Sequence, residues 1–281
     1  MSPASTLTDV LVQVREVSRT FGHGRTAHPA LHPTSLEIGP GTSLGVVGES
    51  GSGKSTLSRL LVGLDVPTSG SVEFAGRDVA DLLRTPGGRL EFRRAVQFVG
   101  QDTTSTFDPL RTLRDAVLQP VLRLTGQRGK DADRVVDETL EQLGLPPALA
   151  DRRPSEVSGG QRQRFSLARA LVVAPRVLVC DEVVSALDVS VQGRILNLVK
   201  DLCADRGTGL VFVSHGLPAT AFIARDLVVM TGGRIVERGT SEALLSAPEH
   251  PYTRSLLAAY SHGRRTRHRD LTVPNASEVV S

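Results

Sequence analysis

The sequence predicts an α/β protein built on a parallel β-sheet flanked by helices. Four short apolar runs, Leu44–Val47, Val96–Val99, Val177–Cys180 and Leu210–Val213, each stand directly before residues of chemical character. Continuous rather than alternating apolar character suits strands covered on both faces, and ligands collect at the carboxyl ends of such strands. A second observation is the glycine-rich segment Gly48-Glu49-Ser50-Gly51-Ser52-Gly53-Lys54-Ser55-Thr56, which follows the first run. Leu57, Leu60, Leu61 and Leu64 come after it at helical spacing, so a strand, a glycine loop and a helix succeed one another.

In chain order, Leu11–Val17 and Thr34–Ile38 read as strands with turn residues between them, and Ser71–Phe74 adds a third. These suit a small antiparallel layer. His23, His28 and His32 fall between the first two strands, but Pro29 and Pro33 interrupt the stretch and no Cys or acidic partner accompanies the histidines. A flexible loop is expected there rather than a metal site. Between Asp102 and Arg169 the character turns helical: Asp131–Leu143 places Val136, Leu140 and Leu143 on one face before Gly144 and Pro146 end it. One domain over 8–260 is expected, with a helical insertion at about 102–169. Apolar content falls after Tyr260, and Arg264, Arg265, Arg267 and Arg269 crowd a tail, 261–281, that reads as flexible and basic.

A chain of 281 residues can bury a sizeable core. Its formal net charge of +3 does not by itself point to nucleic acid, and none is expected as a partner. No stretch approaches the ~20 apolar residues needed to cross a bilayer, and no basic segment followed by an apolar run opens the chain, so a cytosolic location is expected. Cys180 and Cys203 are the only cysteines, too few for a cysteine-ligated cluster or zinc site, and Cys180 ends a run that reads as a buried strand.

The glycine loop carries the clearest chemistry. Its glycines let backbone N–H groups converge on phosphate oxygens, and the following helix start adds the positive end of its dipole. Lys54 supplies a point charge for the β- and γ-phosphates, and the Ser55 hydroxyl can coordinate Mg²⁺. Gly48, Ser50, Gly51, Gly53, Lys54, Ser55 and Thr56 are therefore the expected nucleotide-phosphate residues, a motif that by itself fits many nucleotide-binding proteins; an ordinary glycine turn would not explain Lys-Ser at this spacing. Asp181 ends an apolar strand, where an unpaired carboxylate is costly and a divalent metal is its natural partner, and Glu182 follows. Ser158-Gly159-Gly160-Gln161 opens a helical stretch with Ser158 as N-cap. It fits either a capped helix start or an anion site, and local physics does not separate the two.

The order of the glycine loop, then Val157-Ser158-Gly159-Gly160-Gln161, then Asp181-Glu182, resembles the ATP-binding subunit of ABC transporters over about Val10 to Tyr260. The resemblance implies a P-loop ABC ATPase with a RecA-like parallel-sheet core, a small antiparallel β subdomain and a helical subdomain, using ATP and Mg²⁺. It implies that Glu182 acts as general base, that His215 contacts the γ-phosphate, and that Gln101 contacts both Mg²⁺ and the attacking water. Asp181 and Ser55 complete the metal set. Ser158, Gly159, Gly160 and Gln161 would close on a γ-phosphate held by the opposite subunit, and Asp188 would communicate between the paired sites. Phe21 would stack on adenine, although a core phenylalanine fits its position nearly as well.

Departures from the family pattern are Val157 for leucine, Thr103 for proline, Phe107-Asp108-Pro109-Leu110 for Leu-Asn-Pro-Arg, Val183-Val184 for Pro-Thr and Gly216 for aspartate. The segment Pro248–Leu257 resembles the one that marks the oligopeptide, dipeptide and nickel importer branch, and Ser185–Ser190 and Gly233–Gly239 look like the same branch. This implies a peripheral subunit on the cytoplasmic face of the cell membrane, paired head to tail with a second ATP-binding subunit, either a copy or a sister chain. Two transmembrane permease subunits and an extracytoplasmic solute-binding protein complete the assembly. Thr103–Arg111 would receive the permease, with Phe107 and Leu110 as docking residues. The alternative implied by the same branch is a soluble ABC ATPase serving an enzyme complex such as carbon–phosphorus lyase.

Overall fold

The structure, a computed structural model, describes residues 10–102, 106–184 and 189–259. Asp188, the Ser185–Leu187 stretch before it, Thr103 and the 261–281 tail lie outside the described residues. Two sheets are built from β1 (Val12–Phe21), β2 (His28–Ile38), β3 (Ser43–Val47), β4 (Ser69–Phe74), β5 (Arg77–Asp78), β6 (Val96–Val99), β7 (Val177–Asp181), β8 (Gly209–Ser214), β9 (Asp226–Thr231) and β10 (Arg234–Thr240). The four apolar runs become β3, β6, β7 and β8, neighbours in a six-stranded sheet of order β10-β9-β3-β8-β7-β6. All its strands run parallel except β10, which pairs antiparallel with β9 at one edge. Every residue of β7 and β8 is buried, which is why their sequences do not alternate. The strand β9 also carries a buried apolar run, Leu227–Met230, but no residue of chemical character follows it to single it out.

The antiparallel layer is a four-stranded sheet of order β2-β1-β4-β5. Here the structure corrects one expectation: the histidine stretch is a loop only around a short 3-10 turn at Gly24–Thr26, and from His28 onward it is strand. Because β2 is an edge strand, Pro29 and Pro33 remove no ladder hydrogen bond that the sheet needs. The His32 backbone N–H instead donates to the Gly233 carbonyl at 2.8 Å, tying this sheet to the β9–β10 turn.

Alternation along the central strands divides the core. Val177 and Val179 face the antiparallel sheet and the Lys54–Leu61 helix, in a cluster with Val12, Ile38, Leu57 and Leu61. Leu178 and Cys180 face the other way, into a cluster with the helices Leu113–Pro120, Gly129–Gln142 and Gly159–Leu171. The expected face of Val136, Leu140 and Leu143 is fully buried there, each side chain contributing about 1.5–3 kcal/mol of hydrophobic stabilisation. A Thr112–Asp115 capping box starts the first of these helices, and Pro120 marks its end before a single π-helical turn, Val121–Thr125. Among the described residues no helix is long and apolar enough to cross a membrane.

Phe107 and Leu110, expected together on a docking surface, part company. Phe107 is 5% exposed and belongs to the helical core, whereas Leu110 is 79% exposed. The ring of Phe107 lies 5.2 Å from the Arg169 guanidinium, which also donates to the Thr106 carbonyl at 2.7 Å. An aromatic ring of this size gains more from filling the space beneath Arg169 than from solvent exposure.

Candidate functional site

The glycine loop joins the end of β3 to the Lys54–Leu61 helix, and its glycines are dictated by close approach. A Cβ on Gly48 would lie 2.1 Å from the Met230 carbonyl oxygen of β9. One on Gly53, which caps the helix at φ +98°, would lie 2.5 Å from the Ala30 carbonyl oxygen of β2. Pressed between the two sheets, the loop curls over Lys54, whose Nζ donates to the carbonyls of Gly48 (2.8 Å) and Glu49 (2.7 Å). Burial pushes the Lys54 ammonium below its ordinary pKa, against the pull of Glu182, Asp181 and Glu49. Such a desolvated cation, ringed by a bare backbone, is suited to an anion that brings several oxygens.

Asp181 ends β7 and is buried, and its Oδ1 has no hydrogen-bond partner. Burial raises its carboxyl pKa; a hydrogen bond with the Ser55 side chain opposes that, Glu182 adds to it, and Lys54 and Arg59 oppose it. An orphaned carboxylate oxygen beside a hydroxyl is a hard oxygen donor set, which fits Mg²⁺.

Glu182 departs from the strand with φ +52°, a left-handed conformation rare outside glycine that costs on the order of 1–3 kcal/mol. Its N–H donates to the Val213 carbonyl of β8 at 2.8 Å, which fixes the turn. The carboxylate is thereby placed between two other elements. Its Oε2 accepts from Gln101 Nε2 at 2.9 Å, and its Oε1 lies 3.4 Å from His215 Nδ1. Gln101 follows β6, Glu182 follows β7 and His215 follows β8. Because these strands are parallel neighbours in that order, their carboxyl ends deliver three residues from distant parts of the chain to one place.

Ser158 is the N-cap of the Gly159–Leu171 helix in a reciprocal capping box: its hydroxyl accepts from Gln161 N at 3.2 Å, and Gln161 Oε1 accepts from Ser158 N at 2.9 Å. The capped-helix reading is thus realised, and the Gln161 amide is used within the cap. Arg164 fastens the same helix to the Leu143 and Gly144 carbonyls. Among the described residues no hydrogen bond or ion pair joins Ser158–Gln161 to the glycine loop. Phe21 ends β1 and is 42% exposed, with the Arg19 guanidinium 4.6 Å from its ring centre, so the core alternative does not hold.

One contact was not legible in the sequence. The backbone N–H of Glu49, inside the glycine loop, donates to the Tyr252 hydroxyl at 2.9 Å. Tyr252 lies on the 251–259 helix within the Pro248–Leu257 segment, 203 residues away in sequence. The segment itself was visible as a motif; nothing local said what it touches.

A family model described as "ABC transporter" matches residues 31–185. The chain is 41% identical over 279 residues to a Brucella abortus (strain 2308) protein whose name assigns it to ATP binding in peptide import; the match covers 97% of this chain and 82% of that one. It is 44% identical over 253 residues to the glutathione import ATP-binding protein GsiA of Escherichia coli (strain K12), covering 90% of this chain but 40% of that longer protein. Among solved structures, an ATP-binding cassette captured as a dimer in a post-hydrolysis state with ADP and phosphate aligns at a TM-score of 0.74 and 28% identity, over 82% of this chain and 99% of that one.

Proposed function

The chain belongs to the ABC transporter family, and from that membership we propose that it is the ATP-binding and ATP-hydrolysing subunit powering an importer of peptides or related small solutes. Dipeptides, oligopeptides, nickel or a metal chelate are the solute classes of the branch. One observation carries the hydrolytic reading: the Glu182 carboxylate sits between Gln101 and His215, one residue beyond the buried, half-partnered Asp181.

In this reading Lys54 and the backbone of Gly48–Thr56, including Ser50, Gly51, Gly53 and Thr56, hold the phosphates of ATP. Asp181, Ser55 and Gln101 would hold Mg²⁺, which supplies positive charge to the β- and γ-phosphate oxygens. Glu182 takes a proton from the attacking water, Gln101 orients that water, and His215 hydrogen-bonds the γ-phosphate. Phe21 stacks on the adenine. Ser158, Gly159, Gly160 and Gln161 present the capped helix start to the γ-phosphate of a second ATP-binding subunit, and Asp188 takes the role of communicating between the paired sites. Residues 8–260 form the nucleotide-binding domain, with the helical part at about 102–169 and a basic tail at 261–281. Two permease subunits hold the pair at the cytoplasmic face of the membrane, and a solute-binding protein outside supplies the cargo.

The test is Glu182→Gln. It keeps size and hydrogen bonding but removes the base, so ATP binding should persist while turnover falls by about 10²–10⁴-fold. Steady-state hydrolysis at the wild-type rate would sink the assignment.

A further inference from the structure

Tyr252 touches the glycine loop without any part in the chemistry. Its hydroxyl accepts the N–H of Glu49, and the carbonyl of the same peptide unit, Gly48 O, accepts from Lys54 Nζ. A planar trans peptide points its C=O and N–H in opposite directions, so fixing one fixes the other. Gly48 has no side chain to restrain that plane. We propose that Tyr252 is a positioning residue for Lys54: it clamps the Gly48–Glu49 peptide so that Gly48 O is aimed at the ammonium, and thereby sets the affinity for nucleotide polyphosphate.

The clamp is itself anchored. Glu237 of β10 accepts the backbone N–H groups of Glu249 (2.7 Å) and His250 (3.1 Å), and His250 Nδ1 accepts the Tyr252 N–H at 3.2 Å. The importer-type segment is therefore held on β10 at one end and reaches the phosphate loop through the Tyr252 hydroxyl. Packing of the helix needs only the Tyr252 ring, which lies against the apolar core with Leu256 and Leu257; the Glu49 N–H needs the oxygen. Coupling is reciprocal, so polyphosphate bound at the loop tightens the seating of the 251–259 helix by the same factor.

The inference rests on Gly48–Thr56 being the ATP-phosphate site, and the experiment separates the two. The full-length chain and its Tyr252→Phe, Ser255→Ala and Lys54→Ala variants are titrated with ATP and with AMP, at a temperature where all four are folded. Tyr252→Phe should weaken ATP binding by about three- to tenfold, the equivalent of one ordinary hydrogen bond, and leave AMP unchanged. Ser255→Ala, which removes a hydroxyl from the same helix without touching the loop, should change neither. Wild-type ATP affinity in Tyr252→Phe, an equal loss for AMP, or an equal loss in Ser255→Ala overturns the proposal. If Lys54→Ala leaves ATP affinity intact, the phosphate-site assignment fails and this inference with it. If Lys54→Ala weakens ATP binding and Tyr252→Phe does not, the inference alone is wrong.

Discussion

Phe107 and Leu110 stand three residues apart in the stretch assigned to permease docking, yet truncating them should have opposite consequences. Phe107→Ala removes a 5% exposed ring from the helical core. Phenylalanine-to-alanine changes in cores cost about 3–5 kcal/mol, and losing the face beneath the Arg169 guanidinium adds ~0.5–2 kcal/mol. The cavity term dominates. Together the two losses cost about 3.5–7 kcal/mol, and at about 2–4 °C per kcal/mol for a chain near this size the melting temperature should fall by roughly 7–28 °C. Leu110→Asp alters a 79% exposed side chain and should stay within about 0.5 kcal/mol of wild type, a shift of no more than ~2 °C. Thermal denaturation of the purified chains by circular dichroism gives both values. Solute uptake and ATP hydrolysis, measured in the same vesicles with permease and binding protein present, then show whether Leu110→Asp uncouples them. A Phe107→Ala melting point within 2 °C of wild type, or a Leu110→Asp as unstable as Phe107→Ala, would refute the division of core from surface. Normal coupling in Leu110→Asp would refute the docking role, and stable recovery with a soluble enzyme complex but no permease would favour the alternative partner.

Asp181→Asn should raise stability at neutral pH while abolishing magnesium-dependent hydrolysis. Its carboxyl is raised by burial above the ordinary 3.8, so the fold favours the protonated form. That contribution is full below this ordinary value and is lost as pH rises through the raised folded-state value. Parallel wild-type and variant stability curves across that acid window would contradict this. The split-site model predicts that a Lys54-defective chain mixed with a Gly160-defective chain regains part of the ATPase activity that each lacks alone. Mixtures no more active than the separate variants would show every site to be self-contained.

What the sequence determined was local. The four central strands, the glycine loop, the helix cap at Ser158 and the two carboxylates at the end of a buried run all follow from patterns within a few residues, because backbone conformation and side-chain face are set by neighbours in the chain. The resemblance then supplied roles for Gln101 and His215 that neither residue's surroundings in sequence could supply. Tertiary structure decided which distant residues meet. Strand order brought Gln101, Glu182 and His215 together, and a left-handed turn at Glu182, invisible in composition, aimed the carboxylate between them. Edge position in a sheet turned the proline-broken histidine stretch into β2, and competition for buried volume drew Phe107 inward while leaving Leu110 out. The Tyr252 contact to Glu49 is of the same kind: a hydrogen bond across 203 residues exists only once β10, its Glu237 anchor and the glycine loop are each in place. Such pairings depend on the summed burial of the whole chain, which no window of sequence contains.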